Sequence, residues 1–185
     1  MQVVDTPLSD VKLIRPTKHG DERGWFAEAF NARKFSENGL PAQFVQDNQS
    51  SSRRGVLRGL HYQLVEPQGK LVRALSGHIW DVAVDLRPDS PDFGKWAGFH
   101  LDGTDLDSLW IPEGFAHGYL VLSETASVLY KTTRHYHPAG ERCILWNDAT
   151  LNIAWPLNGL EPSISPKDAA GSTFLAAELP AGIPS

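Results

Sequence analysis

Short runs that alternate apolar and polar residues, each closed by a turn, set the strongest limit on what this chain can fold into. Val11 to Arg15, Trp25 to Phe30, Phe44 to Gln49 and Val56 to Gln63 read as strands. So do Trp96 to Leu101, Ser108 to Ile111, Gly118 to Leu122, Val128 to Thr133 and Cys143 to Trp146. The clearest signal lies in Gly69 to Arg87, which predicts two strands joined near Ser76-Gly77. In its second half Trp80, Val82, Val84 and Leu86 share one face; Ile79, Asp81, Ala83 and Asp85 share the other. About ten short strands at this spacing predict an all-β sandwich or closed barrel. Helix is scarce. One is predicted over Ala32 to Asn38, with Asn31 as N-cap and Gly39 beyond its end. A second starts at Ser165-Pro166-Lys167-Asp168, which offers a cap, a first-turn proline and an acid at the third position.

The length of 185 residues suits a single domain, 1–185, and an apolar content of 41% supplies its core. Seventeen basic and 22 acidic side chains leave a net charge of −5, which is not the balance of a nucleic-acid binder. A single cysteine, Cys143, forms no internal disulfide and fits a reducing compartment. No apolar run is long enough to span a membrane, and the first residues lack the apolar segment of a signal peptide. The expectation is a soluble cytoplasmic protein with a loose tail after Glu178.

Several polar residues sit inside apolar strands, where burial without a partner costs several kcal/mol. They are His61, Asp81, His117, Tyr130 and Lys131. Each has an ordinary structural reading: a satisfied core histidine, or a tyrosine ring with its hydroxyl tied down. On local grounds Asp168 reads as a capping residue beside Ser165. Arg23, Arg58 and Lys70 read as loop charges, although Gly55 and Gly59 leave room for a ligand beside Arg58. Gln46-Asp47-Asn48-Gln49 is either a polar turn or a set of amides facing a planar ring. Pro112-Glu113-Gly114-Phe115-Ala116-His117 resembles the second conserved box of the cupin barrels. The first box, around His61, is degraded: Tyr62 and Gln63 stand where metal cupins place further ligands. Two separated histidines make a poor transition-metal site, and no dinucleotide or P-loop fingerprint is present.

Taken in order, a larger set of segments resembles a family. They include Gly20-Asp21-Glu22-Arg23-Gly24, Phe44-Val45-Gln46-Asp47-Asn48, Gly55-Val56-Leu57-Arg58-Gly59-Leu60-His61-Tyr62-Gln63 and Gln68-Gly69-Lys70-Leu71-Val72-Arg73. Further on come Leu109-Trp110-Ile111-Pro112-Glu113-Gly114-Phe115-Ala116-His117-Gly118, Leu129-Tyr130-Lys131-Thr132-Thr133 and Ser165-Pro166-Lys167-Asp168. The pattern is similar to the dTDP-4-dehydrorhamnose 3,5-epimerases, the RmlC-like epimerases of the cupin superfamily. The resemblance implies a cupin-type jelly-roll barrel with a few short peripheral helices. It further implies a homodimer without metal or cofactor, acting on a dTDP-sugar in rhamnose synthesis. It makes His61 the base, Asp168 its orienting partner, Tyr130 the proton donor and Lys70 the cation beside the C4 oxygen. It makes Arg23, Arg58 and Lys167 diphosphate contacts, Tyr136 the ring stacked on thymine, and Gln46, Asn48, Glu28, His117 and Glu141 further substrate contacts. In the family the Arg23 to Glu28 stretch can complete a partner's pocket. A mono-epimerase acting at C3 or C5 alone, and a non-catalytic sugar-nucleotide binder, are the alternatives. Arg134-His135-Tyr136-His137-Pro138 is more basic than usual, and Arg142-Cys143 replaces small residues after Glu141. No nucleophilic role is assigned to Cys143.

Overall fold

The computed structural model describes residues 1–180 and residue 183. Along them run β1 (Gln2–Asp5), β2 (Lys12–Arg15), β3 (Lys18–Asp21), β4 (Gly24–Ala27), α1 (Ala32–Glu37), β5 (Gln46–Arg53) and β6 (Leu57–Gln63). Then follow β7 (Lys70–Ser76), β8 (His78–Asp85), β9 (Trp96–Asp102), β10 (Ser108–Ile111), β11 (Phe115–Val121), β12 (Thr125–Thr132), β13 (Glu141–Cys143) and α2 (Pro166–Ala169). A six-stranded sheet has the order β1-β2-β10-β7-β12-β5, and a five-stranded sheet the order β13-β6-β11-β8-β9. From β5 onward the chain changes sheet at every connection except the β8–β9 hairpin, which is jelly-roll connectivity. The fold is the expected all-β cupin barrel. No helix among the described residues is long and apolar enough to cross a membrane.

Strand β8 shows why the alternation was so clear. Ile79 and Ala83 enter the core between the sheets, with Val72, Leu109, Ile111 and Val128. Trp80, Val82, Val84 and Leu86 face outward, yet they are buried beneath Leu151, Trp155, Ile164 and Phe174 of the C-terminal segment. Both faces are therefore apolar. The outer face of the other sheet is covered by α1, whose Phe35 packs on Ile14, Leu71 and Trp110. Gly77 makes the tight crossing from β7 to β8 at φ +72°, a conformation L side chains rarely adopt.

Both helices start where expected. Asn31 accepts from the Lys34 N–H at 3.2 Å, and Ser165 Oγ from the Asp168 N–H at 3.1 Å. Four expectations need correction. Strands β1 and β3 lacked an apolar alternation and were not anticipated; β3 is exposed at every position. The strand expected over Trp25 to Phe30 ends at Ala27, and Phe30 turns to stack edge-on against Phe35 and Phe44. That expected over Phe44 to Gln49 extends to Arg53, because β12 pairs with Ser50, Ser51 and Ser52 despite their polarity. That expected over Cys143 to Trp146 occupies Glu141–Cys143 instead, and Ile144 follows it, exchanging both backbone hydrogen bonds with Leu60 and bridging to Ser172. At the C-terminus the Glu178 carbonyl accepts from the Tyr62 hydroxyl at 2.8 Å, and Leu179 packs on the outer core. Pro180 is buried too, and residues 181, 182, 184 and 185 of the tail expected to be loose lie outside the described residues.

Gly98 sits against the Trp80 ring, and a methyl group there would lie 2.0 Å from it. Trp80 is itself locked edge-on between Trp96 and Trp155 at 5.9 and 5.3 Å. Gly98→Ala is expected to lower stability by about 1–3 kcal/mol, the usual cost of overpacking a filled core. The readout is a lower urea midpoint at unchanged slope.

Candidate active site

One pocket opens between the sheets, and its walls hold most of the polar residues that stood out in the sequence. Arg58 and His61 come from β6, Lys70 from β7, His117 from β11 and Tyr130 from β12, with Tyr136 and Glu141 at the rim. Strand pairing sets the spacing. His117 stands opposite His61 across β11 and β6, and Cys143 stands opposite His61 across β13 and β6.

Asp168 lies behind His61. Its Oδ1 is 2.8 Å from His61 Nε2, and its Oδ2 accepts the Gly59 N–H at 3.2 Å. Its backbone N–H is capped by Ser165. The local reading of Asp168 as a cap is met by its main chain, while its side chain serves the histidine. Burial would raise the Asp168 carboxyl, but the hydrogen bond and charge of His61, the Gly59 N–H and Ser165 together outweigh it and hold the acid below its usual range. The carboxylate accepts from His61, so the neutral imidazole carries its proton on Nε2 and keeps a lone pair on Nδ1.

A second imidazole–carboxylate pair lies alongside. His117 Nε2 is 2.9 Å from Asp81 Oδ2, and both residues are buried. Burial lowers the His117 pKa, against the pull of Asp81. Asp81 Oδ1 is buried without a hydrogen-bond partner. Lys70 is also buried; its Nζ donates to the His61 carbonyl at 3.1 Å. Burial pulls its pKa down to about 8, and the charges of Asp81 and Glu141 hold it from falling further. Tyr130 is shifted the other way: burial, then Tyr119 and Glu141, raise its phenol, with Arg58 opposing. A lone pair, a buried cation and a protonated phenol around one cavity can take a proton, stabilise an oxyanion and return a proton.

The rim is a chain of polar contacts. Glu141 accepts from both Tyr136 and Lys167. Burial alone would raise the Glu141 carboxyl, but these two bonds hold it low. Gln46 donates to Asn48 at 2.8 Å and accepts the Tyr136 N–H at 3.0 Å. Two expected residues are not brought to the pocket. Arg23 stands on the exposed β3–β4 hairpin paired with Asp21, and Glu28 pairs with Lys34 at 2.7 Å. Sequence reasoning passed over Ser50 and Tyr119, which line the wall and share a 2.8 Å hydrogen bond. The signal was there: Gln46, Asn48, Ser50 and Ser52 alternate on the less exposed face of β5. Cys143 lies beside the His61–Asp168 pair, and burial, followed by the charges of Asp168 and Glu141, pushes its thiol up to about 12. It is no ready nucleophile. The donor atoms of His61, Cys143 and Asp168 lie within 4.8 Å of one another.

A jelly-roll barrel with this pocket can house an enzyme that works by moving protons. A family model described as dTDP-4-dehydrorhamnose 3,5-epimerase matches residues 5–176. A dTDP-4-dehydrorhamnose 3,5-epimerase of Pseudomonas aeruginosa is 52% identical over 179 residues, covering 96% of this chain and 98% of that one. One of Neisseria gonorrhoeae is also 52% identical but longer, and the chain spans 54% of its length. A crystal structure of the Legionella pneumophila dTDP-6-deoxy-D-glucose-3,5-epimerase in complex with dTDP-4-keto-L-rhamnose superposes with a TM-score of 0.93. It is 48% identical, with 97% of each chain covered. The chain belongs to the dTDP-4-dehydrorhamnose 3,5-epimerase family, and it is an isomerase.

Lys70 is expected to titrate near pH 8 in the free protein, followed by the resonances of carbon-13-labelled lysine side chains. In Asp81→Asn the midpoint moves down, because the carboxylate that favours the charged amine is gone.

Proposed function

We propose that this enzyme inverts C3 and C5 of dTDP-4-dehydro-6-deoxy-D-glucose to give dTDP-4-dehydro-L-rhamnose. The observation that carries the reading is the His61–Asp168 pair, which leaves a lone pair on Nδ1 at the pocket wall. The C4 ketone acidifies the hydrogens on its neighbouring carbons, so no redox cofactor is required. His61 takes the proton from one face. Lys70 then stands near the C4 oxygen and stabilises the enolate, and Tyr130 returns a proton from the opposite face. Asp168 fixes the tautomer and steadies the imidazolium that forms.

In the same reading Arg58 and Lys167 meet the diphosphate through charge-assisted bonds. Tyr136 stacks on the thymine, held in place by Gln46 and Asn48. Glu141 and His117 contact the sugar nucleotide. Arg23 and Glu28 act from the neighbouring subunit of a homodimer. Support comes from the β3–β4 hairpin, which leaves Trp25 and Phe26 54% and 71% exposed. A lone free thiol suits a reducing compartment, and we place the enzyme in the cytoplasm.

Incubation with the substrate in heavy water, followed by proton NMR, tests the chemistry. Loss of both the C3 and C5 signals is expected; loss of one alone would mark a mono-epimerase, and loss of neither a binding protein. His61→Ala is expected to slow exchange by about 10²–10⁴-fold, the range of a missing general base. Tyr130→Phe retains some exchange but fails to complete inversion. Equal loss of both in Tyr130→Phe would reject this division of labour.

Replacing both hairpin aromatics, Trp25→Ser with Phe26→Ser, is expected to convert a dimer to monomer in light scattering and to raise KM. An unchanged mass would remove the hairpin from the interface.

A further inference from the structure

We propose that His61, Cys143 and Asp168 together form a binding site for zinc-like divalent cations, and that occupancy switches the enzyme off. The inhibition rests on the epimerase reading above; the binding does not. Cys143 and His61 are direct cross-strand partners on β13 and β6, and Asp168 reaches them from α2. Their ligand atoms lie within 4.8 Å of one another. The imidazole nitrogen and carboxylate oxygen are already 2.8 Å apart. Cys143 Sγ donates to the Ile144 carbonyl at 3.5 Å and lies 4.0 Å from that of Asp168, weak bonds that a metal would replace. Thiolate, imidazole and carboxylate are a zinc donor set.

Charge favours the same occupant. One divalent cation, one thiolate and one carboxylate sum to zero, which suits a half-buried place better than any of the three alone. The proton count closes as follows. The Cys143 S–H bond breaks, sulfur keeps the electron pair and binds the metal, and the proton goes to solvent; a coordinating thiol is deprotonated by the ion itself. His61 binds through Nε2, so the proton that sat there moves to Nδ1. That shift removes the lone pair that faces the substrate. The metal therefore disables the base from behind: it locks the imidazole in the wrong tautomer.

The test uses metal-free protein, zinc by equilibrium dialysis and cobalt(II) by absorption. One zinc per chain is expected, with hydrogen exchange on the sugar falling in step with occupancy and returning on chelation. Cobalt should give a near-ultraviolet thiolate charge-transfer band. Cys143→Ser, with Cys143→Ala as a second variant, should keep metal-free turnover, lose the band and bind zinc at least about tenfold more weakly. Loss of even a group behind a metal's ligands costs that much. No binding by the wild type, equal binding by both variants, or full activity in the zinc-loaded wild type would each overturn the proposal. A wild-type band absent from the variants, in a protein inert towards the sugar, would keep the metal site and reject the epimerase reading.

Discussion

A carboxylate that enters the core of a β-barrel has to bring its partner with it, and that requirement organises this molecule. Asp85, with no exposure, is met by Arg87 and Ser90, and Arg87 reaches Asp10 besides. Asp168 is met by His61 and a main-chain N–H, and Asp81 by His117. The Asp85 cluster is saturated: both of its oxygens are taken and it lines no part of the pocket. The other two are left partly open. His61 keeps a ring nitrogen without an assigned partner, and Asp81 keeps an oxygen. What separates the closed cluster from the two pocket-side pairs is the hydrogen-bonding capacity left over.

The two cores divide the labour. The outer core, sealed by Trp155 and Phe174, is apolar and fixes where β6, β8 and β11 lie. The core between the sheets is apolar at the end that holds Leu8 and Leu109 and polar towards Lys70 and His61. Because β8 is covered on both faces, its position leaves little freedom to Asp81, and the pairing of β11 with β8 then places His117. Precision in the pocket comes from regular strands, which hold a side chain more firmly than loops do.

How much of this could be read in the sequence depended on whether a residue broke a local rule. Asp81, His117 and Tyr130 interrupt apolar strands, so their roles as pocket or paired groups were visible. Lys70 was less so: a lysine at the head of a strand reads as a solvated end, and only the register of β7 between β10 and β12 buries it. Ser50 and Tyr119 broke no rule and were missed. Asp168 was legible as a cap, but its tie to His61 spans 107 positions and is a property of the fold. β13 was misplaced because Ile144-Leu145-Trp146 looks like a strand, whereas after Ile144, which pairs with Leu60 and closes the outer core, the chain leaves β6. The resemblance to a family supplied Arg23 and Glu28, which nothing within this one subunit draws to the pocket.

The burial of Lys70 has a cost that falls on the whole molecule. In an unfolded chain its amine holds a proton up to about pH 10.5, whereas in the fold it holds one only up to about 8. Below pH 8 folding must therefore seal a charged amine into the barrel, a penalty of about 3 kcal/mol. As pH rises from about 8 to 10.5 the penalty fades, because the folded state no longer carries the charge. Near neutrality the protein keeps a buried cation there, tied to the His61 carbonyl. The residue that puts a positive charge into the pocket wall is thus also one that makes folding depend on pH.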